Sequence, residues 1–185
     1  MGRDEAILRA AAELFLERGF GGVTVDEIGA RAGVSGPAVY HHFASKDEIL
    51  ATLFDQAMDD LLLLVDTPAG DDPHEVLESL VVAQAAFALT DLVLVSVYAR
   101  EARSLAEPWR RQASRRQRQH VDRWLDAMRA CYPQREESEL LSAAHAVIGL
   151  SLSVATWEQA ALQTPGLQEL LAELMRGALD RLNAP

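Results

Sequence analysis

The sequence predicts an all-α protein of about nine helices, in which a small three-helix module precedes a larger helical domain. Three observations support this fold class. Apolar residues recur at three- and four-residue spacing in almost every segment, which is the period of an amphipathic helix. Ser or Thr followed three residues later by Glu, the capping box that starts helices, occurs twice in the first 50 residues. The one run rich in β-branched residues, 92–98, has no second run to pair with in a sheet.

Size and composition favour a globular cytoplasmic protein. With 185 residues and 20.3 kDa the chain can bury a sizeable core. The single cysteine, Cys131, excludes an intrachain disulfide, which suits a reducing compartment. The N-terminus leads directly into an amphipathic helix without the apolar region of a signal peptide. Polar residues interrupt the most apolar stretch, 80–98, so buried helices are expected there and no membrane span.

The first predicted helix spans residues 4–18. Gly19 stops it, and Phe20 can fold back onto its last turn. Its apolar side chains share one face, which predicts that it packs against the helices that follow. These side chains are Ile7, Leu8, Ala11, Leu14 and Phe15.

Two short helices joined by a tight turn are predicted next. Thr24 and Glu27 form a capping box at the start of the first, and Gly33 can take the left-handed conformation that ends it. Ser35 caps the second, predicted over residues 36–43. Helix, glycine-containing turn, helix is the arrangement of a DNA-reading helix-turn-helix, although it also fits ordinary helical hairpins.

A third helix opens at a second capping box, Ser45 with Glu48, and is predicted to continue to residue 65. It is longer than the small module requires, so it is expected to pack into the rest of the chain and couple the two parts. We therefore predict a module over residues 1–46 and a second domain over residues 47–185.

The second domain is predicted to contain one clear loop and five further helices. The loop is the Pro-, Gly- and Asp-rich segment 67–73. The helices are predicted at residues 74–89, 92–105, 107–131, 137–163 and 167–183.

The final two helices carry more apolar surface than one domain needs. The helix over 137–163 has two apolar stripes, one through Leu141 and one through Leu140, whereas a surface helix needs only one. We expect one stripe to face the chain's own core and the other a second copy in a two-fold dimer, without deciding between them. The residues assigned to the interface are Leu140, Ala143, Val147, Leu150, Val154, Leu167, Leu171, Leu174 and Ala178.

Residues 20–50 carry the pattern F-x-x-V-T-V-D-E-I-x-x-x-A-G-V-S-x-x-x-V-Y-x-H-F-x-S-K-x-x-x-L. This pattern closely resembles the N-terminal signature of TetR-family (tetracycline-repressor-like) transcriptional regulators, and the resemblance covers roughly the first 50 residues. It implies a helix-turn-helix module that binds double-stranded operator DNA and a helical domain that binds a small-molecule effector. It also implies a homodimer formed through the final two helices, and release of DNA when the effector binds.

The resemblance places base contacts on the outward positions of the second helix of the motif, while Val39 and Phe43 hold the module together. Pro37 and Ala38 would meet thymine methyl groups, and Tyr40 and His41 would offer hydrogen-bond donors. Residues at helix starts would bind phosphate. The predicted DNA-binding residues are Thr24, Ser35, Gly36, Pro37, Ala38, Tyr40, His41, His42 and Lys46.

Each of these residues also has a purely structural interpretation. Thr24 and Ser35 are helix caps whether or not they touch DNA, and Tyr40 can pack on the core of the module. His41 and His42 are adjacent on a helix and point about 100° apart, so no metal site is expected at this pair.

The charge balance argues against binding by a broadly basic surface. The net charge is −11, and residues 1–50 carry five basic and eight acidic side chains. DNA affinity ordinarily depends on neutralised phosphates. Binding is therefore expected to rest on helix N-termini and on Lys46, whose loss should weaken binding evenly across sequences and flatten the salt dependence by about one unit.

No catalytic or metal-ligand spacing stands out after residue 67, so we predict no enzymatic activity, no metal and no cofactor. The expected effector is largely apolar, because aromatic side chains are available to line a cavity, although each of them also suits a plain core. The predicted ligand-binding residues are Phe54, Met58, Phe87, Tyr98, Arg103, Trp109, Trp124, Met128 and Trp157.

An arginine cluster leaves the type of effector open. The cluster comprises Arg110, Arg111, Arg115, Arg116 and Arg118. Its simplest role is a solvated face that balances the acidic residues 51–107; alternatively it binds an anion at the mouth of a cavity. The surrounding pattern also resembles TetR-type regulators of lipid and sterol catabolism, some of which respond to acyl-CoA thioesters. The predicted function is a dimeric repressor released by a small apolar ligand, with an acyl-CoA-responsive regulator and an effectorless protein-interaction dimer as alternatives.

Overall fold

The computed structural model describes residues 2–65, 70 and 72–183, and this part of the chain contains helices and no strands. The all-α fold class is therefore confirmed, with ten α-helices in the described residues. They are α1 (Arg3–Arg18), α2 (Val25–Ala32), α3 (Gly36–Val39), α4 (Lys46–Val65), α5 (Pro73–Thr90), α6 (Leu92–Glu101), α7 (Trp109–Cys131), α8 (Glu137–Leu152), α9 (Gln159–Leu162) and α10 (Leu167–Asp180). Three 3-10 turns lie at Phe20–Gly22, Ser153–Thr156 and Arg181–Asn183.

By packing, the chain separates into two compact units. The N-terminal unit comprises residues up to Met58 together with Val93–Arg115, and the C-terminal unit comprises Asp59–Leu92 together with the chain from Arg116 onward. These units are defined by packing and not by function, so the predicted domain boundary after residue 46 remains a prediction.

The N-terminal unit is built on the predicted apolar face of α1, whose five side chains are all buried. Phe20 folds back as expected, and its ring meets that of Phe15 edge-on at 5.3 Å between centroids. The end of α1 is also held by α6, since Glu101 accepts a hydrogen bond from the backbone N–H of Phe20 at 3.2 Å. Arg100 donates to the carbonyl of Leu16 at 3.3 Å.

The C-terminal unit packs α5, α8, α10 and the second half of α7 around one apolar core. Trp124 and Met128 of α7 are fully buried in it, together with Leu171 and Met175 of α10. The predicted loop at 67–73 lies mostly outside the described residues. Its last residues start α5, because Asp72 accepts a hydrogen bond from the N–H of His74 at 2.9 Å.

The helix predicted over 137–163 is wrong in length: α8 ends at Leu152 and tightens into the 3-10 turn Ser153–Thr156. Hydroxyl groups at the end of α8 explain the change. Ser151 and Ser153 each donate to the carbonyl three residues earlier at 2.7 Å, which competes with the regular α-helical pattern. By length and composition, 137–156 is the single continuous described segment apolar enough to cross a membrane, and core helices pass the same test.

Two other helices are shorter than predicted. The segment predicted as helix over 36–43 is α-helical only to Val39, after which Tyr40 begins a run of tighter turns. The helix predicted to reach residue 105 ends at Glu101, whose carboxylate accepts from the Ser104 hydroxyl at 2.6 Å. In both places local hydrogen bonds end the helix earlier than apolar periodicity suggests.

Candidate nucleic-acid interface

The start of α2 is fixed by the predicted capping box. The backbone N–H of Thr24 donates to the Glu27 carboxylate at 2.8 Å, and the N–H of Glu27 donates to the Thr24 hydroxyl at 3.3 Å. Arg18 also donates to Glu27 at 2.8 Å. The Thr24 N–H, then Arg18 and the Thr24 hydroxyl, together lower the pKa of Glu27 to about 2. This box fixes the direction of α2 over the whole neutral pH range.

The turn between α2 and α3 depends on two glycines. Gly33 has φ 74° and ψ 24°, the left-handed conformation predicted for it. Gly29, for which the sequence carried no signal of its role, is buried where α2 meets the turn. A Cβ at Gly29 would lie 3.0 Å from the carbonyl oxygen of Val34 and 3.1 Å from the backbone nitrogen of Gly36. The two helices approach this closely because Gly29 has no side chain.

We expect Gly29→Ala to destabilise the protein by about 1–3 kcal/mol, because the added methyl meets backbone atoms that cannot rotate away. Chemical denaturation measures the loss. Gly21→Ala is the matched control, since a Cβ there meets nothing within 4 Å and Gly21 does not need a positive φ. Equal stability of the two variants would contradict this role for Gly29.

The outer side of α3 is available to a partner. Pro37 and His41 are exposed, Tyr40 keeps 56% of its surface exposed, and the inward-facing Val39 and Phe43 are buried. Ala38 is half-buried. The backbone N–H of Ala38 donates to the Ser35 hydroxyl at 3.3 Å, which confirms Ser35 as the N-cap of α3.

Gly36 does not face outward as predicted. It is buried, and a Cβ built on it would lie 1.7 Å from the Asp26 carboxylate, because α3 begins against the first turn of α2. The predicted outward orientation of Gly36 is therefore wrong, and any contact it makes with DNA is limited to its backbone.

Lys46 is turned into the protein, a role that the sequence did not reveal. Its ammonium group donates to the carbonyl oxygens of Phe20 at 2.6 Å and Val23 at 2.7 Å, and lies 4.3 Å from the centre of the Phe20 ring. Two of its three N–H donors are thus used to tie the start of α4 to the α1–α2 connection. Its predicted contact with phosphate remains a prediction, with a single donor left for it.

His42 is also held by the module itself. Its Nδ1 lies 2.5 Å from a carboxylate oxygen of Asp4 in the first turn of α1. The side chain is therefore oriented by α1, and its predicted contact with the DNA backbone remains a prediction.

Ion pairs offset the excess of acidic groups in the module. Arg31 donates to Glu17 through two nitrogens, at 3.2 and 3.1 Å, and to Glu13 at 3.4 Å. Arg9 pairs with Glu13 as well. Glu13 and Glu17 lie on α1, and their charges are cancelled locally by these two arginines, so this group of side chains adds little to the repulsion of a nearby phosphate.

The nine predicted ligand-binding residues are divided between the two units. Phe54 and Tyr98 meet edge-on in the N-terminal unit with ring centroids 5.1 Å apart, and burial raises the pKa of Tyr98. Met58 is buried there, whereas Trp109 is half-buried and Arg103 is exposed. In the C-terminal unit Phe87, Trp124 and Met128 are buried, and Trp157 is half-buried. Their role in ligand binding remains a prediction.

A chain of buried polar groups in the C-terminal unit was missed, because its members are far apart in sequence. The Nε2 of His120 lies 2.9 Å from the amide oxygen of Gln84, and the Gln84 amide nitrogen donates to the Ser151 hydroxyl at 2.9 Å. All three residues are at least 98% buried. The signal available from the sequence was a Gln, a His and a Ser on otherwise apolar helix faces.

An open cavity of about 260 Å³ also lies on the C-terminal unit, and none of the predicted ligand-binding residues lines it. Arg176 and Glu78 lie at this cavity, joined by hydrogen bonds of 2.6 and 3.0 Å. These two charges satisfy each other, and His74 and Asp180 also line the cavity.

The predicted dimer interface is partly wrong. Five of its nine residues lie in the protomer's own core and are not available to a partner: Leu140, Val147, Val154, Leu167 and Leu171. The buried face of α8 combines residues from both predicted stripes, because this is the side of the helix that packs against α5 and α10. Ala143 and Leu150 are half-buried, whereas Leu174 and Ala178 are exposed and remain predicted interface residues.

Sequence comparison places the N-terminal module in a known family. The model for bacterial regulatory proteins of the tetR family matches residues 7–53. The chain is 43% identical over 63 residues to the HTH-type transcriptional activator FasR of Mycolicibacterium smegmatis, covering 32% of this chain and 29% of FasR. It is 33% identical over 127 residues to the HTH-type transcriptional repressor KstR2 of Mycobacterium tuberculosis, covering 66% of this chain and 62% of KstR2. The chain thus spans less than two thirds of each of these relatives.

The similarity in fold extends over nearly the whole chain. The structure of AibR in complex with isovaleryl coenzyme A and operator DNA matches with a TM-score of 0.79 and 23% identity, covering 95% of this chain and 97% of AibR. The helix-turn-helix geometry, the family-model match and these relatives agree: the N-terminal module of this chain, residues 7–53, belongs to the tetR family of bacterial regulatory proteins.

Proposed function

We propose that this protein is a homodimeric, DNA-binding transcriptional repressor that acts in the cytoplasm and leaves its operator when a small, largely apolar ligand binds. The observation that carries the proposal is the two-sided segment 36–43, formed by α3 and the turns after it, with Val39 and Phe43 buried and Pro37, Tyr40 and His41 exposed. An enzymatic role is not proposed, since FasR and KstR2 are regulators of transcription.

Readout of the operator should depend on shape and apolar contact more than on paired hydrogen bonds. The exposed face of α3 has no Arg, Asn or Gln, the side chains that form bidentate contacts with bases. Tyr40 and His41 supply single donors, and Pro37 supplies an apolar surface for thymine methyl groups. Thr24 remains a candidate for phosphate contact at the N-terminus of α2.

We expect Tyr40→Ala to weaken operator binding by about tenfold, because it removes the largest exposed side chain of the segment 36–43. Genomic fragments bound by the purified protein are first selected, and fluorescence anisotropy then gives the affinity. Leu63→Ala is the control, because Leu63 is 76% exposed but lies on α4. Equal affinity of Tyr40→Ala and the control would contradict the role of Tyr40. Dimers that select no fragment at all would favour a protein-interaction dimer instead.

A second copy is proposed to cover the exposed side of α8 and α10. Leu141, Leu170 and Leu174 keep 40%, 42% and 49% of their surfaces exposed in the single chain. Small residues beside them permit close approach of helices from a partner. These are Ala146, Gly149, Gly177 and Ala178, and all four are exposed. Two helices with one continuous apolar side fit the two-fold, four-helix interface expected from the family.

We expect Leu174→Arg to raise the dimer dissociation constant at least about a hundredfold, because the charge would be buried without a partner at a self-complementary interface. Sedimentation velocity over a concentration series measures this. Leu63→Arg introduces the same charge at another exposed leucine and should leave the dimer intact. Dissociation of both variants alike, or of neither, would argue against this face.

An acyl-CoA thioester is the second candidate effector. It is favoured by the likeness to AibR, whose structure contains isovaleryl coenzyme A, and by the arginines at the start of α7. Two of these, Arg110 and Arg111, pair with Glu107, whereas Arg115 is exposed and available to a phosphate. Calorimetry with acyl-CoAs and with the free fatty acids tests this candidate; equal binding of the two would exclude a role for arginine–phosphate pairing.

A further inference from the structure

Two buried polar atoms in the C-terminal unit have no hydrogen-bond partner among the described residues: Nδ1 of His120 and Nε1 of Trp124. His120 is 2% exposed and Trp124 is fully buried. The two residues are four apart on α7, so they lie on the same face, one turn from each other. A buried polar atom without a partner is costly, typically by about 1–3 kcal/mol, and calls for a specific explanation.

The hydrogen-bond chain determines what each atom offers. The Ser151 hydroxyl donates its proton to the carbonyl of Ile148 at 2.7 Å, so it accepts from the Gln84 amide nitrogen. The amide oxygen of Gln84 then faces Nε2 of His120 and can only accept. Nε2 therefore carries the imidazole proton, and Nδ1 of the neutral ring is a bare acceptor.

The imidazole stays neutral under physiological conditions. Burial, reinforced by Arg123, lowers the pKa of His120 to about 4. The indole of Trp124 is a donor only. The pair thus offers one acceptor and one donor, with no charge, inside an apolar core formed by residues such as Val121, Leu125 and Met128.

We infer that His120 Nδ1 and Trp124 Nε1 bind the hydroxyl group of a small neutral ligand, which donates to the imidazole and accepts from the indole. A hydroxyl oxygen is the simple group that can satisfy both atoms at once. A carbonyl oxygen would satisfy only the indole, and a carboxylate would place its negative charge against the lone pair of Nδ1. The inference rests on the proposed function, since the ligand is taken to be the effector, and it restricts that effector to hydroxylated apolar molecules.

Three probes of matched shape separate these possibilities: cyclohexanol, cyclohexanone and cyclohexanecarboxylate. Each is titrated into the full-length protein labelled with ¹⁵N in its tryptophan indoles and histidine rings. We expect cyclohexanol to shift the Trp124 indole N–H and the His120 Nδ1 resonances, and to bind about fivefold more tightly than cyclohexanone, the value of one hydrogen bond. The carboxylate should bind most weakly.

Two variants test whether the preference for the alcohol depends on Trp124. Trp124→Phe removes the donor and keeps an aromatic ring, so it should abolish the preference for the alcohol over the ketone. Tyr132→Phe removes a hydroxyl group from the same apolar core and should preserve that preference. If Trp124→Phe does not fold, the shift of the His120 Nδ1 resonance in the wild-type protein on addition of cyclohexanol decides the question.

Two outcomes would overturn the inference. One is equal or tighter binding of the carboxylate. The other is a Trp124 indole resonance that none of the probes moves, which would indicate that a permanently bound water satisfies both atoms. Neither outcome affects the proposed function, because DNA binding by the ligand-free protein is measured independently by anisotropy.

Discussion

Replacing Lys46 by methionine is expected to destabilise the N-terminal unit by about 2 kcal/mol and to weaken DNA binding together with it. The variant keeps the apolar part of the side chain but removes both charge-assisted hydrogen bonds, to the carbonyls of Phe20 and Val23. Such bonds contribute about 1.5–3 kcal/mol each, and partial exposure of Lys46 to water reduces the loss. Urea denaturation measures the stability and anisotropy the affinity.

The salt dependence of DNA binding distinguishes the two roles of Lys46. If its remaining donor also meets a phosphate, the salt slope falls by about one unit; if Lys46 only ties α4 to the α1–α2 connection, the slope is unchanged. Arg9→Met is the control, since it removes the same charge from an exposed ion pair, where little stability is at stake. Wild-type stability in Lys46→Met would contradict the structural role.

We propose that Lys46 also transmits the signal of the proposed effector. It is the first residue of α4, and α4 contributes residues to both compact units. Because its ammonium group holds the Phe20–Val23 segment directly before α2, a shift of α4 would be passed to the helix-turn-helix. We therefore expect Lys46→Met to reduce the effector's influence on DNA affinity, in a population shift between two states.

Acidification is expected to destabilise the folded protein by about 3 kcal/mol between pH 6.5 and pH 4 through His120 alone. Burial and Arg123 lower the pKa of the folded imidazole from 6.5 to about 4. In that interval the unfolded chain binds a proton that the folded chain does not, so stability rises with pH. The contribution is complete above pH 6.5 and is lost as pH falls toward 4.

Denaturation in urea at several pH values between 7 and 4.5 measures this slope. His120→Asn should flatten it, whereas Trp157→Phe, which removes no titratable group from the same unit, should leave it unchanged. The capping carboxylate of Glu27 has a lower pKa, of about 2. Its protonation therefore adds to the dependence of stability on pH only below about pH 4.5. Equal slopes in both variants would show that His120 does not titrate as a buried group.

The caps and the turn of the helix-turn-helix were predictable because their signals are local. Capping boxes, a left-handed glycine and apolar spacing depend on neighbours within four residues, so Thr24, Ser35 and Gly33 behave in the structure as their sequence context indicates. Lys46 was placed correctly at the start of α4, but its hydrogen bonds to residues more than 20 positions away were not predictable. Local patterns do not encode such distant partners.

The faces of the later helices could not be predicted for a similar reason. On α8 both stripes are apolar, and only packing against α5 and α10 buries Leu140 and leaves Leu141 exposed. The polar chain of Gln84, His120 and Ser151 joins three helices and appears in sequence as three unrelated residues.

By itself, the sequence determined the helical fold class, the helix-turn-helix and the similarity of the N-terminal module to the TetR family, because helical periodicity and capping depend on residues close together in the chain. The tertiary structure alone decided that Gly36 is buried, that Lys46 is a structural tie, and which side of α8 is available to a partner. It also brought His120 of α7 together with Gln84 of α5 and Ser151 of α8. These features depend on contacts between distant segments, whose geometry exists only once the helices have packed.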